Sequence, residues 1–514
     1  MNNLTSPEVG FNDQEKQIIK TFLDNIEGDN NLREQFISYM ISLDKKGPVE
    51  LDTINALTDA QLDNHIKFRK GLNDLINEID MEISQRPNRE KRIHVKDLIY
   101  FLCLTNGNGW SMDKANFSLN IEGVLDVCKK ALIERLKLLE LSHLEKLNGF
   151  IIKELGKTEK PNRILAFDGS LLHNSINLVK DGCTILKNDK YYVTTLLECS
   201  YDLENEYPFR YTISSDLNEN HLALDQIDSF KPGDTIIGDR FYYNYNMASK
   251  LDSMNIRALF RLTSKVGGSY INKINETINA DRRKKYYDNV VIIRNPKSSY
   301  PIVLNKNETI ITTARYPQEI PMVIRFIKCK IKKTAYYFAT TVFDYSVDDI
   351  KDLYRMRWGI ETHFGKEKRL LNLRNLNGLS LSRLKQDVLI HQFIFLLNAY
   401  QKRYSQPFDT KKYVINDTLS IHATVNYFLY GLLYDKPKTD PDAQLSKIVD
   451  AINSKKSLIP IVSNRNYDRM TKKPKTKWNR QGRNGRGLNE NENKYKVKRK
   501  KKNTCKTVTV SEVT

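Results

Sequence analysis

The spacing of apolar residues divides the chain into a helical first part and a mixed second part. Up to about residue 155, apolar positions recur every three or four residues, which is the period of an amphipathic helix. The clearest runs are DQEKQIIKTFLDNI, NLREQFISYMISL, AQLDNHIKFRKGLNDLINEID and GVLDVCKKALIERLKLLELSHLEKL. Between them, RIHVKDLIYFLCLTNGNGWSMDKANFSL predicts a buried helix, a turn rich in Gly and Asn, and a second helix. We therefore predict a helical N-terminal domain over residues 1–155.

From about Pro161 the period shortens to that of β-strands. RILAFDGS, KYYVTTLLECSYDLEN and YPFRYTISSDL predict three strands joined by short polar turns. Helices and strands then alternate through HLALDQIDSF, TIIGDRF, YNYNMASKLDSM and IRALFRLTSK. Residues 266–345 are rich in β-type runs such as DNVVIIRN and ETIITTARY, and residues 401–464 are helical in pattern again. The pattern predicts an α/β fold with a mixed sheet, a β-rich insertion and C-terminal helices.

A later segment, DDIKDLYRMRWGIETHFGKEKRLLNL, predicts one helix from Asp348 to about Leu373, because it lacks Pro and has apolar residues at helical period. At about 100° per residue, one face within an arc of roughly 60° carries a phenol, a guanidinium, a carboxylate and an ammonium group. These four residues are Tyr354, Arg357, Glu361 and Lys368. His363 falls on the opposite side, so we expect a structural role for it.

This spacing, Y-x2-R-x3-E-x6-K, resembles the signature of the IS4 family of DDE transposases, which are bacterial insertion-sequence enzymes. In that family the Glu is the last of three metal-binding carboxylates, so the resemblance implies two aspartates upstream, each at the end of a strand. Asp168 follows the apolar run RILAF, and Asp239 follows DTIIG. The resemblance therefore assigns Asp168, Asp239 and Glu361 as catalytic, metal-binding residues.

The resemblance also implies a ribonuclease H-like core, with acids on the first and fourth strands and on a later helix. We assign residues 156–265 and 346–400 to this catalytic core, 266–345 to a β-rich insertion within it, 401–464 to a C-terminal helical region and 465–514 to a basic tail. In relatives the insertion can supply a Trp that helps to hold a flipped base. This chain departs from that detail, because its three tryptophans are Trp110, Trp358 and Trp478.

The implied chemistry is cut-and-paste DNA transposition. Two Mg²⁺ ions, for which Mn²⁺ can substitute, would be held by the three carboxylates, because hard cations prefer oxygen ligands. Arg357 is suited to grip a phosphate, Lys368 to add positive charge and Tyr354 to donate a hydrogen bond, and Arg240 is a further candidate for contact with DNA. The implied partners are double-stranded DNA, as terminal inverted repeats and as target, and a second protomer in a homodimeric synaptic complex. The resemblance implies cleavage that frees a 3′-hydroxyl, then a hairpin intermediate, and then strand transfer into target DNA.

The charge of the chain agrees with a nucleic-acid partner. The net charge of the 514 residues is +20. Between Arg465 and Lys502, sixteen basic residues stand against three acidic ones, so this segment contributes +13. A run of this composition predicts a disordered arm that binds phosphates without base preference, and its other interpretation is a solvated tail.

Several classes of protein are disfavoured by what the sequence lacks. It has no secretory signal and no long apolar run, which predicts a cytoplasmic protein without a membrane partner. The resemblance to bacterial transposases implies association with the nucleoid. Its six cysteines form no CxxC pair. There is no GxSxG, P-loop or GxGxxG motif typical of hydrolases, NTPases or dinucleotide enzymes.

Each acid alone has an ordinary interpretation. A single Asp after a strand is usually a turn residue, and Arg357 with Glu361 has the spacing of a surface ion pair. Two other functions therefore stay open. One is a catalytically inactive or co-opted DNA-binding protein, and the other is a ribonuclease H-like nuclease without strand transfer.

Overall fold

The computed structural model describes residues 59–83, 93–157, 162–183, 185, 192–267, 286–294, 303–305, 308–312, 322–331, 334–376, 378–405, 412–434, 441–454 and 457–461. The helices predicted before residue 59, the basic tail and parts of the predicted insertion lie outside these residues. The chain divides into two compact units. In the described ranges, one unit contains residues 59–78 and 397–461, and the other contains residues 79–396.

The first unit is helical apart from a short two-stranded sheet. It contains most of α1 (Asp59–Ile83), the end of α10 (Leu381–Lys402), α11 (Asp417–Ala423), a π-helical turn (Thr424–Phe428), α12 (Leu429–Leu433) and α13 (Pro441–Asn453). The strands β11 (Tyr413–Val414) and β12 (Ile459–Pro460) pair antiparallel. Phe68 stacks on Tyr400 with ring centroids 3.8 Å apart, and the Asn73 side-chain amide donates to the Leu432 carbonyl at 2.8 Å. Aromatic stacking and a side-chain cap thus join α1 to the helices that follow residue 397.

The second unit begins with four further helices and continues into a ribonuclease H-like sheet. The helices are α2 (Val95–Gly107), α3 (Met112–Ile121), α4 (Lys129–Leu136) and α5 (Leu141–Gly156). The core strands and their helices are β1 (Ile164–Ser175), β2 (Tyr192–Asp202), β3 (Tyr207–Ser214), α6 (Glu219–Gln226), β4 (Thr235–Gly238), α7 (Tyr245–Ser253) and β5 (Arg257–Leu262). The order β3-β2-β1-β4-β5 has an antiparallel meander followed by two parallel strands. This order confirms the predicted fold class.

The predicted insertion extends the same sheet. Its described strands are β6 (Tyr287–Arg294), β7 (Val303–Asn305), β8 (Glu308–Thr312), β9 (Met322–Ile331) and β10 (Thr334–Thr340). Because β10 pairs antiparallel with β5, the full order becomes β3-β2-β1-β4-β5-β10-β9-β6-β8-β7. The β-rich character predicted for this segment is therefore confirmed over its described residues. The insertion strands continue the core sheet at its β5 edge.

Helices cover both faces of the core sheet. On one face, Phe167 and Phe260 pack with Met247 of α7 in a buried cluster. On the other face, Ala166 and Leu172 pack with residues of α9 (Trp358–Leu370) and α10. A third cluster joins β5 and β10 to α8 (Val347–Met356). This three-layer arrangement fixes α8 and α9 over the strands that carry the predicted acids.

Two predicted boundaries are wrong. The strand that carries Asp168 does not end there but continues to Ser175, because β2 pairs with β1 from Leu165 to Ser175 and sustains the ladder. The single helix predicted from Asp348 to Leu373 is two helices, α8 and α9, separated at Arg357. In the described segments, no helix combines the length and the apolar composition needed to cross a bilayer.

Candidate active site

Asp168 lies where the sheet opens between β1 and β4. The parallel pairing of β1 with β4 stops at Ala166, whereas the antiparallel pairing with β2 continues past Asp168. Asp168 therefore sits on a strand that is rigid on one side and has no neighbouring strand on the other. It shares a face of β1 with Ala166 and Leu172, which pack against α9. The strand thus directs its carboxylate towards the helix that carries Glu361.

Asp239 follows the last residue of β4 and begins a tight turn. Its carboxylate oxygen Oδ1 accepts a hydrogen bond from the Phe241 backbone N–H at 2.7 Å. Gly238 precedes it because the position is crowded: a Cβ there would lie 2.7 Å from the Phe260 ring. Asp168 and Asp239 are therefore placed by adjacent parallel strands, Asp239 directly after the end of β4 and Asp168 within β1 rather than at its predicted end.

Glu361 and Arg357 come from the junction of α8 and α9. A capping box at Ser346 and Asp349 starts α8: the Ser346 hydroxyl accepts from the Asp349 N–H at 3.2 Å, and the Ser346 N–H donates to the Asp349 carboxylate at 2.9 Å. At the junction, the Arg357 N–H bonds to the Tyr354 carbonyl, three residues back, so the helix tightens there. The Arg357 guanidinium donates to the Glu361 carboxylate and lies 4.0 Å from the Asp168 carboxylate. Arg357 thus links two of the three predicted acids.

The charges of the acids act on one another. Burial raises the pKa of Asp168 to about 7, against the opposing effect of Arg357 and with further increases from Asp239, Glu361 and Glu219. Three acids that are 71 and 122 residues apart in sequence are therefore electrostatic neighbours in the fold. Arg357 is also perturbed: burial disfavours its charge, but Tyr354, Glu361 and Asp168 outweigh burial and raise its pKa.

Two further acids, which the sequence analysis missed, lie beside the predicted set. Glu198 is fully buried on β2, opposite Gly169 in the ladder, and accepts hydrogen bonds from the Tyr242 hydroxyl at 2.8 and 3.1 Å. Burial raises its pKa well above the ordinary value. Glu219, the first residue of α6, packs against Gly169, and a Cβ at Gly169 would lie 2.7 Å from the Glu219 Oε1 atom. A charged residue inside the apolar run TTLLECS was the signal for Glu198, whereas no local pattern marks Glu219.

The remaining predicted residues occupy different positions. Tyr354 is 9% exposed, packs on Phe338 with ring centroids 5.0 Å apart, and lies beside Arg357. Lys368 is half-buried, and burial with the neighbouring Arg374 lowers its pKa, while Glu367 and Asp168 oppose the change. Arg240 is exposed, with its guanidinium 5.3 Å from the Phe241 ring. The fold thus brings Arg357 and Lys368 close enough to Asp168 for charge interaction, and Tyr354 lies next to Arg357.

His363 anchors α9 from the side opposite Glu361. It is buried, and its Nε2 atom lies 2.5 Å from the Tyr211 hydroxyl of β3. The same hydroxyl donates to Glu367 at 2.9 Å, and Glu367 also contacts His391 of α10 at 3.1 Å. This buried polar network fixes the register of α9 between β3 and α10.

The acids suit a hard divalent cation in chemical type but do not form a closed coordination shell in this conformation. Carboxylate oxygens are the donors that Mg²⁺ and Mn²⁺ prefer, and several of them converge here. Among the described residues, however, no group of three His, Cys, Asp or Glu side chains is arranged to hold a metal ion. Instead, the Arg357 guanidinium partly compensates the negative charge of Glu361 and Asp168.

Comparison with known proteins identifies a similar family. Residues 159–397, a little under half of the chain, match the family model described as the transposase DDE domain. This segment contains all the acids described above. No curated protein matches the sequence. A cryo-EM structure of a piggyBac transposase synaptic complex with hairpin DNA is similar at 11% identity and a TM-score of 0.39, over 81% of this chain and 89% of that chain.

Proposed function

We propose that the protein is a DDE transposase of the IS4 type, which cleaves DNA at the terminal inverted repeats of its transposon and joins the ends to target DNA. The observation that carries the proposal is that Arg357 pairs with Glu361 and lies 4.0 Å from Asp168, with Asp239 at the end of the neighbouring parallel strand. These residues come from two strands and a helix of a ribonuclease H-like sheet, inside a segment similar to the transposase DDE domain.

The roles of the residues follow from their chemistry. Asp168, Asp239 and Glu361 would hold divalent cations, two Mg²⁺ ions or Mn²⁺ in their place. A bound cation would lower the pKa of the attacking water or hydroxyl and offset the charge that develops on the phosphate. Arg357 has a planar fork that fits two phosphate oxygens, and Lys368 adds a positive charge about two turns beyond Glu361 along α9. Tyr354 holds the Arg357 side chain in place and offers a hydroxyl to the substrate.

Double-stranded DNA is the proposed partner, both as transposon end and as target. A homodimer would bring two ends together, with the helical N-terminal domain binding the end sequence and the basic tail contributing contacts to the phosphate backbone. Arg240, exposed next to Asp239, is the outermost of the proposed DNA contacts. We propose that the protein is located in the bacterial cytoplasm, in association with the nucleoid.

The test is cleavage of a plasmid that carries the flanks of the gene, where the inverted repeats are expected. Wild-type protein with Mg²⁺ should release a fragment with free 3′-hydroxyl ends. Asp239→Asn and Glu361→Gln should each lose cleavage by at least about a hundredfold while keeping affinity for the same DNA, since removal of one electrostatic contributor to a transition state costs about that much. Cleavage that persists at the wild-type rate in either variant would refute the site assignment.

The same assay separates the alternatives. Because no closed metal site is present among the described residues, a DNA-binding protein without catalysis is the second candidate. Binding of the flanks without cleavage in Mg²⁺ or Mn²⁺ would favour it. Cleavage without integration into a second plasmid would favour a ribonuclease H-like nuclease.

A further inference from the structure

Arg261 lies on β5 within a row of cationic and aromatic side chains that leads to the acids. Its guanidinium is 4.4 Å from the centre of the Tyr336 ring of β10. Tyr336 in turn meets the Tyr354 ring edge-on, with centroids 6.4 Å apart. Tyr354 is followed by Arg357, whose guanidinium lies 5.8 Å from its ring. The row therefore runs from Arg261 through two tyrosines to the residue that pairs with Glu361.

Tyr354 is shared by the two arginines. Its burial raises the pKa of the phenol, and charge interactions and hydrogen bonds from Arg357 and Arg261 oppose that rise. Both guanidinium groups therefore lie next to one phenolic oxygen, and two like charges are held close together. Such an arrangement is unfavourable unless anions compensate both charges.

The structure compensates Arg357 but not Arg261. Arg357 pairs with Glu361 and lies 4.0 Å from Asp168. Arg261 is half-buried, and no carboxylate within the described ranges forms an ion pair with it. Arg257, four residues earlier on the same strand, differs from Arg261 because its charge is compensated by Asp344 at 3.2 Å. A partly desolvated guanidinium that has no acid partner within the described ranges and lies 4.4 Å from the centre of an aromatic ring is suited to receive an anion from outside the chain.

We infer that Arg261 binds a backbone phosphate of the DNA strand, next to the phosphate that the acids and Arg357 receive. The inference rests on the proposed function and adds a binding residue from β5 to it. Because the rings of Tyr336 and Tyr354 lie along the row between Arg261 and Arg357, we expect the two arginines to contact separate phosphates. The chemical class of the ligand is a phosphodiester, which the guanidinium binds through two parallel N–H donors.

Salt dependence of DNA binding tests the inference. The probe is a blunt-ended duplex with the sequence of one flank of the gene, measured by fluorescence anisotropy with the full-length protein over a series of KCl concentrations without divalent cations. Arg261→Gln should reduce the slope of log affinity against log salt by about 0.9, the value for one phosphate contact. Arg261→Lys should keep the slope, because its charge is kept, but bind more weakly. The matched control Arg257→Gln, on the same strand, should leave the slope unchanged.

A second series locates the phosphate. Duplexes in which a single phosphate is replaced by a neutral methylphosphonate are tested along the terminal turn. One position should weaken binding by wild-type protein and have no further effect on Arg261→Gln. If every position weakens both proteins equally, or if Arg261→Gln keeps the wild-type slope, the inference is wrong.

The outcomes also separate this inference from the proposed function. Wild-type protein that binds the duplex but never cleaves it would overturn the proposed function and leave the role of Arg261 measurable. Wild-type protein that shows no salt-dependent binding would overturn both. If Arg261→Gln does not fold, judged by circular dichroism, Arg261→Lys decides, because wild-type affinity and wild-type methylphosphonate sensitivity in that variant would refute the inference.

Discussion

Replacement of Asp168 by Asn is expected to stabilise the protein in the absence of divalent cations. Burial raises the pKa of Asp168 from 3.8 to about 7, so the native state binds this proton more tightly than the unfolded chain does. The ionised carboxylate therefore costs nothing below about pH 4, costs more as the pH rises from about 4 to 7, and reaches its full cost above pH 7. Asn carries no charge and removes this cost.

The magnitude follows from the size of the shift. A change from 3.8 to about 7, at about 1.4 kcal/mol per pKa unit, sets an upper limit of about 4 kcal/mol at pH 8. The Asp168 side chain is 25% exposed, and solvent screening reduces that limit. We expect Asp168→Asn to gain roughly 2 kcal/mol in the free energy of unfolding at pH 8, and about a third of that at pH 5.

Urea unfolding in EDTA at both pH values measures this gain. The matched control is Asp225→Asn, because Asp225 is exposed on α6 and, among the described residues, makes neither a hydrogen bond nor an ion pair. Its substitution should change stability by less than about 0.5 kcal/mol at either pH. A loss of stability in Asp168→Asn at pH 8, or an equal gain at the two pH values, would refute the electrostatic reasoning.

Three further results are expected. Addition of Mg²⁺ should raise the melting temperature of wild-type protein and have a smaller effect on Asp168→Asn, and equal shifts in the two proteins would argue against a metal site at this residue. Gly169→Ala places a methyl group 2.7 Å from the Glu219 Oε1 atom and should impair cleavage with little loss of stability. The control Gly149→Ala lies in an open helical position and should raise the free energy of unfolding in urea by up to about 1 kcal/mol. Asp234→Ala leaves the buried Arg163, now bonded to it at 2.5 Å, without a partner and should cost about 3–5 kcal/mol; a loss below 1 kcal/mol would contradict the burial of this pair.

Local patterns were sufficient for the elements of the core sheet. The strands β1 to β5 and the helices α6 and α7 all appear in the order that the change of period predicts. The length of β1 was not predictable locally, because Gly169 and Ser170 resemble a turn after Asp168. Pairing with β2, which depends on contacts distant in sequence, carries the strand seven residues further.

The break between α8 and α9 has a tertiary cause as well. Gly359 lies against Leu203, the residue after β2, where a Cβ would be 3.0 Å from the Leu203 side chain, so the start of α9 approaches the sheet more closely than another residue would allow. A single Gly in a helical run is a weak signal, and the sequence alone favours a continuous helix. The face that carries Tyr354, Arg357, Glu361 and Lys368 is nevertheless retained, because the backbone at Arg357 stays in the right-handed helical region.

Glu198 and Glu219 could not be assigned to the site from the sequence, because their proximity to it depends on how β1 and β2 pair. Glu198 is opposite Gly169 only when β1 and β2 pair as observed, and Glu219 approaches because that glycine has no side chain. Tyr242, in the loop that follows Asp239, donates a hydrogen bond from its hydroxyl to the Glu198 carboxylate. Gly169 therefore allows Glu198 and Glu219 to approach the same point of β1, and no single sequence motif contains all three residues.

Arg357 joins the acids to the arginine and tyrosine row. It pairs with Glu361 on its own helix, lies 4.0 Å from Asp168 on β1 and contacts Tyr354, which also contacts Arg261. Each of these contacts depends on charge, so the removal of one acid changes how strongly the guanidinium is held by the other. The effects of substitutions in this network will consequently not add, since residues that share a charged partner are coupled. The Y-x2-R-x3-E spacing thus places one guanidinium where it pairs with Glu361 on the helix and lies 4.0 Å from Asp168 on the strand.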